Sequence, residues 1–129
     1  MNGRTLFQVM MFVASAALLA SCATTQQSLA HTRAGVNDVW KAALDAVIDM
    51  RYSVSSADAT SGFIVAEQGV VGGGGSVARL NIQVQRIGTV SEVKVSFVPP
   101  PGTIGGWGIA EDYIKALKAR IPDLEVRGR

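Results

Sequence analysis

Polar and apolar positions along this chain follow two periods, after one long apolar block at its start. Val36, Val39, Trp40, Ala43, Leu44, Val47 and Ile48 recur three and four residues apart, with Asp38, Lys41, Asp45 and Asp49 between them. This is the stripe of an amphipathic helix. Asn37 is placed to cap it, and Asp38 to meet the positive end of its dipole. From Tyr52 the period drops to two. Tyr52 and Val54 alternate with serines, Asp58 to Gly62 supplies turn residues, and Phe63 to Ala66 is an apolar run. Leu80, Ile82 and Val84 alternate with Arg79, Asn81, Gln83 and Gln85; Val93, Val95 and Phe97 alternate with Glu92, Lys94 and Ser96. Joined through Ile87-Gly88-Thr89, these two stretches predict a hairpin with one apolar and one polar face. Pro99 to Pro101 end its second strand, because proline has no N–H for the ladder. The helical period returns at Ile109, Ala110, Tyr113, Ile114, Leu117 and Ile121, with Lys115, Lys118 and Arg120 off the stripe. Pro122 stops this helix, and Leu124 and Val126 add at most a short extension. The order α-β-β-β-β-α predicts an α+β fold in two layers: a four-stranded antiparallel meander with two helices on one face.

The apolar block runs from Leu6 to Ala20, and Arg4 before it is the one charge in residues 1–21. A short cationic start followed by about 15 mostly apolar residues is the layout of an export signal, whereas a membrane span needs ~20. The block ends Leu19-Ala20-Ser21-Cys22, which resembles the lipobox of bacterial lipoproteins. Small residues before the cut let the backbone lie close to a peptidase. The Cys22 thiol is the nucleophile that takes a diacylglyceryl group as a thioether, and cleavage then frees its amine for an N-acyl chain. Two or three chains anchor stably where one does not, at about 0.8 kcal/mol per buried CH₂. The resemblance implies attachment to a membrane by covalent lipid on Cys22. Ala23, at the position that sorts such proteins, implies the periplasmic face of the outer membrane. Residues 1–21 are then a removed signal, 22–35 a lipidated cysteine with a flexible tether that leaves His31 in solvent, and 36–126 a single domain.

Composition sharpens this division. The chain is 48% hydrophobic and 17% charged, with a mean hydropathy of +0.27, high for a water-soluble domain until the leader is set aside. Without Arg4 the twelve cations become eleven against ten anions, so no nucleic acid is expected as a partner. One cysteine excludes an internal disulfide, and one histidine leaves little for metal binding or triad chemistry.

Beyond the lipobox, the helix VWKAALDAV, the pattern Tyr52-Ser53-Val54…Asp58…Gly62-Phe63-Ile64-Val65-Ala66, the pair RLNIQV…EVKVSF and the last amphipathic helix are similar to a family of small bacterial lipoproteins built on a domain of unknown function. The layout also resembles the helix-grip domains of the C lipoprotein of the outer-membrane β-barrel assembly machine. The resemblance implies an envelope lipoprotein with a sheet-and-two-helix domain and carries no substrate with it. Such sequences usually place glycine just before the strand aromatic, in a left-handed helix cap; this chain has Arg51 there.

Catalytic constellations are sparse. Glu111 and Asp112 are adjacent, so on a helix they point about 100° apart and fit the first turn's dipole instead. Ser53, Ser55, Ser56 and Ser91 have no histidine partner beyond His31. The run Gly72 to Gly75 lacks the Lys-Ser/Thr of a phosphate loop and reads as a hairpin loop. The chain is therefore expected to be no enzyme and to hold no metal and no cofactor other than its lipid. Its expected role is a structural or binding module for an envelope protein or a cell-wall component. Trp107, between glycines, and the polar sheet positions Arg79, Asn81, Gln83 and Gln85 are the candidate contacts; the plainer alternatives, which weigh more, are that Trp107 folds back over the sheet end and that the polar face is simply solvated. The alternative role is a carrier of a small apolar ligand between sheet and helices, which the alanine-rich helices disfavour and an apolar cavity of about 300 Å³ or more would support.

Overall fold

The computed structural model describes residues 26–69, 77–100 and 108–127 of the 129. Eight elements follow one another: β1 (Gln26–Thr32), α1 (Val36–Asp49), β2 (Ser53–Asp58), β3 (Phe63–Gly69), β4 (Val77–Ile87), β5 (Val90–Val98), α2 (Ile109–Arg120) and β6 (Glu125–Val126). The strands form one antiparallel sheet in the order β2-β3-β4-β5-β1-β6. The expected meander β2 to β5 is present and two strands are added to its far side. The sheet is thus six-stranded rather than four-stranded, and the fold is α+β with both helices packed into one core on it.

Period two decides which side chains enter that core. Leu80, Ile82 and Val84 of β4 face Phe97, Val95 and Val93 of β5 across the ladder, and all six are buried. Val39, Ala43, Ala46 and Val47 of α1 and Ala110, Tyr113, Ile114 and Leu117 of α2 cover them. Alanines let the helices lie close: Tyr113, fully buried, donates its hydroxyl to the Ala43 carbonyl at 2.8 Å. Burial holds this phenol far above the usual tyrosine range. Trp40 packs partly buried against the same cluster, as its place on the stripe predicts.

The stretch expected as tether is largely strand β1. It pairs through all seven residues with β5, from Gln26 opposite Phe97 to Thr32 opposite Ser91. Its core-facing residues are Gln26, Ser28, Ala30 and Thr32, too small or polar to give an apolar period, which is why the pattern did not predict it. Two polar contacts pin the turn that follows. Ser91 Oγ donates to the Ala34 carbonyl at 2.8 Å, and Thr32 Oγ1 donates to Asp123 Oδ1 at 2.9 Å while accepting the Ala34 N–H at 3.1 Å. The turn begins α1 at Gly35, without a side-chain cap, so Asn37 lies inside the first turn rather than at the cap.

Two turns of positive φ shape the other edge. Arg51 sits at φ +62°, with its N–H on the Ile48 carbonyl and the Tyr52 N–H on the Val47 carbonyl. This is a Schellman cap built on arginine, at a position that glycine usually takes. Asp58 Oδ1 accepts the Thr60 N–H at 2.9 Å, and the turn closes on Gly62 at φ +77°. The Gly62 carbonyl then accepts the Val84 N–H at 2.8 Å, tying the turn to β4. Edge strand β2 is exposed throughout and bulges between Val54 and Ser56, a shape that discourages pairing with other chains.

Candidate functional site

β6 covers only part of β1. Val126 and Glu125 pair with Ala30 and His31, and the Arg127 N–H donates to the Leu29 carbonyl at 2.8 Å. Because strand positions repeat every two residues, Gln27 presents its backbone to the same outer edge as Leu29. α2 crosses the sheet beside this edge. Glu111, Ile114, Lys115 and Lys118, spaced i, i+3, i+4 and i+7, share one face of the helix. That face and the β1 edge bound a cleft of about 640 Å³.

The cleft is largely apolar at its wall and cationic at its rim. Leu29 of β1, Ile114 of α2 and Val126 of β6 supply branched aliphatic surface, and the stems of the lysines extend it. Ile114 is buried, whereas Val126 is 57% exposed. Lys94, Lys115 and Lys118 line the rim and make no ion pair with any described residue. Arg127 is engaged, with Nη1 3.5 Å from Glu92 Oε2. Glu92 and Glu111 are the acids of the lining, so four cations there face two anions. On the next position along β1, Gln26 buries its Oε1 with no partner among the described residues.

The expected partner-binding residues of β4 lie together, on the sheet face away from the helices. Arg79 is committed there: its Nη2 lies 3.0 Å from Glu67 Oε1. Gln83 Nε2 donates to Gln85 Oε1 at 3.3 Å. Asn81 faces Ser96, whose Oγ accepts from Gln27 Nε2 at 3.3 Å. One row, Phe63–Gln83–Lys94–Leu29, crosses four strands and ends at the cleft. The sequence pattern therefore identified the polar face but missed the cleft beside it. Lys115 and Lys118 do lie off the apolar stripe of α2, but β1 raises a second wall next to them.

Leu19, Ala20, Ser21 and Cys22 of the lipobox, Trp107 and the run Gly72 to Gly75 lie outside the described residues. His31 is not loose in solvent: its Nε2 lies 3.3 Å from Glu125 Oε2, bracing β6 against β1. Among the described residues no group of three His, Cys, Asp or Glu side chains converges as metal ligands would. No helix among them is long and apolar enough to cross a membrane.

No family model and no curated protein matches the sequence. Among solved structures, two of those similar in part are DynU16 and Ara h 8.0201. DynU16, a protein of the dynemicin biosynthetic locus, aligns over 76% of this chain and 47% of its own, at 16% identity and a TM-score of 0.45. The chain thus spans about half the length of that protein. Ara h 8.0201 aligns over 77% of this chain and 97% of its own, at 6% identity and a TM-score of 0.39. Neither likeness assigns a family to the chain.

Proposed function

We propose that this domain is a non-catalytic binding module of the bacterial envelope. It takes one small amphipathic ligand, with an apolar body and an anionic end, in the cleft between α2 and the edge of β1. The observation that carries this reading is the pairing of an aliphatic wall with three lysines that have no partner among the described residues, around a cavity of about 640 Å³. Small-molecule sites span roughly 300–1,000 Å³ and combine an apolar lining with a few polar groups that fix orientation. The carrier reading thus gains over a purely structural one, although the cavity lies at the edge of the layers rather than enclosed between them. An amphipathic ligand also suits the site better than a wholly apolar one, which would leave the lysines unanswered. Anchorage by lipid on Cys22 at the periplasmic face of the outer membrane belongs to the same proposal and rests on the lipobox.

The test is a fluorescence titration with anilinonaphthalene sulfonate, an apolar ring system bearing one anion. Saturable binding that weakens at least about tenfold in Val126→Glu supports the cleft, since a charge of the same sign as the probe's and a lost apolar contact cost ~1.4 kcal/mol or more together. Val126 is exposed, so this variant keeps its fold. Equal binding by both proteins would place the probe elsewhere and refute the reading. A second reading, a protein-binding sheet face, is favoured by Phe63, which stands 48% exposed at the head of the row that ends at Leu29. A Phe63→Ser variant that loses crosslinks in intact envelopes while keeping the probe affinity would support that face instead.

A further inference from the structure

We infer that the occupant of the cleft is an anionic phospholipid drawn from the membrane that bears the anchor. This deepens the binding reading above and depends on it. The first support is where the chain enters the fold. Gln26 opens β1, and the next three residues, Gln27, Ser28 and Leu29, line the cleft. Cys22 lies four positions before Gln26. At ~3.5 Å per residue the lipid-bearing cysteine is held within about 14 Å of the start of β1. A tether of thirteen residues would have let the domain turn any face to the bilayer; a link of three does not. The opposite edge, β2, lies four strands from β1, or ~19 Å at about 4.8 Å per strand. The cleft edge is therefore the membrane-proximal one.

The second support is charge complementarity. Lys115 and Lys118 stand one turn apart on α2, and Lys94 comes from β5 beside Leu29. All three lack an ion-pair partner among the described residues. A phosphodiester headgroup meets Lys115 and Lys118 on the helix side while one acyl chain covers Ile114 and Val126; Leu29 and Lys94, on the sheet face away from the helices, border the same cleft across the β1 edge. A soluble anion would satisfy the lysines and leave the aliphatic wall wet. The short link also raises the effective concentration of bilayer lipid at the cleft.

The experiment uses the full chain, purified from cell membranes in mild detergent, with phosphatidylglycerol and phosphatidylcholine added separately. Native mass spectrometry counts bound lipid, and displacement of anilinonaphthalene sulfonate reports the cleft. The expected result is one phosphatidylglycerol per chain that displaces the probe. The triple variant Lys94→Gln/Lys115→Gln/Lys118→Gln weakens it by about fivefold per lysine while phosphatidylcholine binding hardly changes. Val126→Glu weakens both lipids. If the probe binds and phosphatidylglycerol does not displace it, the phospholipid assignment fails and the binding reading stands. If neither binds, both fail. Lipid binding indifferent to the triple variant and to Val126→Glu overturns the assignment, because the lipid then sits elsewhere. Probe and lipid binding seen only in Cys22→Ser would overturn it too, since the cleft would then be filled by the protein's own acyl chain.

Discussion

Arg51 closes α1 in a conformation that glycine adopts freely. Its carbonyl accepts from Gln68 Nε2 at 3.3 Å, and its N–H completes the cap, so both of these hydrogen bonds are made by its backbone atoms. A Cβ in the left-handed region costs about 1–2 kcal/mol, partly offset in a glycine variant by the greater freedom of the unfolded chain. Arg51→Gly is expected to raise stability by roughly 0.5–1 kcal/mol in urea melts. A lower stability would mean that the arginine side chain itself holds the cap. Gly62 presents the opposite case. Its φ is positive, and a Cβ there would overlap the Val84 carbonyl oxygen, which is backbone and cannot swing aside. Gly62→Ala is expected to cost at least about 2 kcal/mol by the same measurement. Both positions were visible in the sequence, one as the end of the Asp58-x-x-x-Gly62 turn and the other as an arginine in a glycine's place. The overlap with Val84 was not, because β4 approaches from twenty-two residues away.

At the scale of elements, the helices are joined by charge as well as packing. Arg120 of α2 donates from Nε and Nη2 to both Asp49 oxygens of α1 at 2.7 and 2.8 Å, and its Nη1 lies 3.5 Å from Asp45. The hydrogen bonds from Arg120 hold the Asp49 carboxyl below its ordinary value. A carboxylate depressed in the folded state stabilises it above the unfolded pKa, near 3.9, and that contribution is lost as pH falls through the lower folded value. Thermal midpoints of the parent protein should therefore fall on acidification below about pH 4 more steeply than those of Asp49→Asn. Parallel acid limbs would remove Asp49 from the account; the pair is exposed, so its effect is modest. α1, α2 and the ladder β3-β4-β5 were legible because each carries a full apolar period. β1 and β6 were not: β1 turns its largest apolar residue, Leu29, away from the core, and β6 has two residues. The cleft was illegible for the same reason. Its walls come from residues 27–29, 92–94, 111–118 and 126–127, which no local pattern connects.

For the whole molecule, the boundary of the folded unit is the decisive difference between pattern and structure. Periodicity places its start at Val36, whereas the sheet begins at Gln26. Removing residues 26–35 would strip β5 of a partner along seven residues and delete Ala30 and Thr32 from beneath the helices. It would also free β6, whose pairing is with β1, and break the bonds of Ser91 to Ala34 and of Thr32 to Asp123. β5, now an edge strand, would expose a row of unpaired backbone groups. Against a total stability of about 5–15 kcal/mol, losing a whole strand takes most of the margin. A fragment 26–129 is accordingly expected to melt in one cooperative transition, and a fragment 36–129 to melt broadly or to aggregate. Circular dichroism and light scattering on the two fragments decide the matter. An equally cooperative 36–129 fragment would show β1 to be an accessory strand. The proposed placement of the cleft near the membrane would then lose its support, because the short link from Cys22 to the cleft restricts the domain only while that strand is docked.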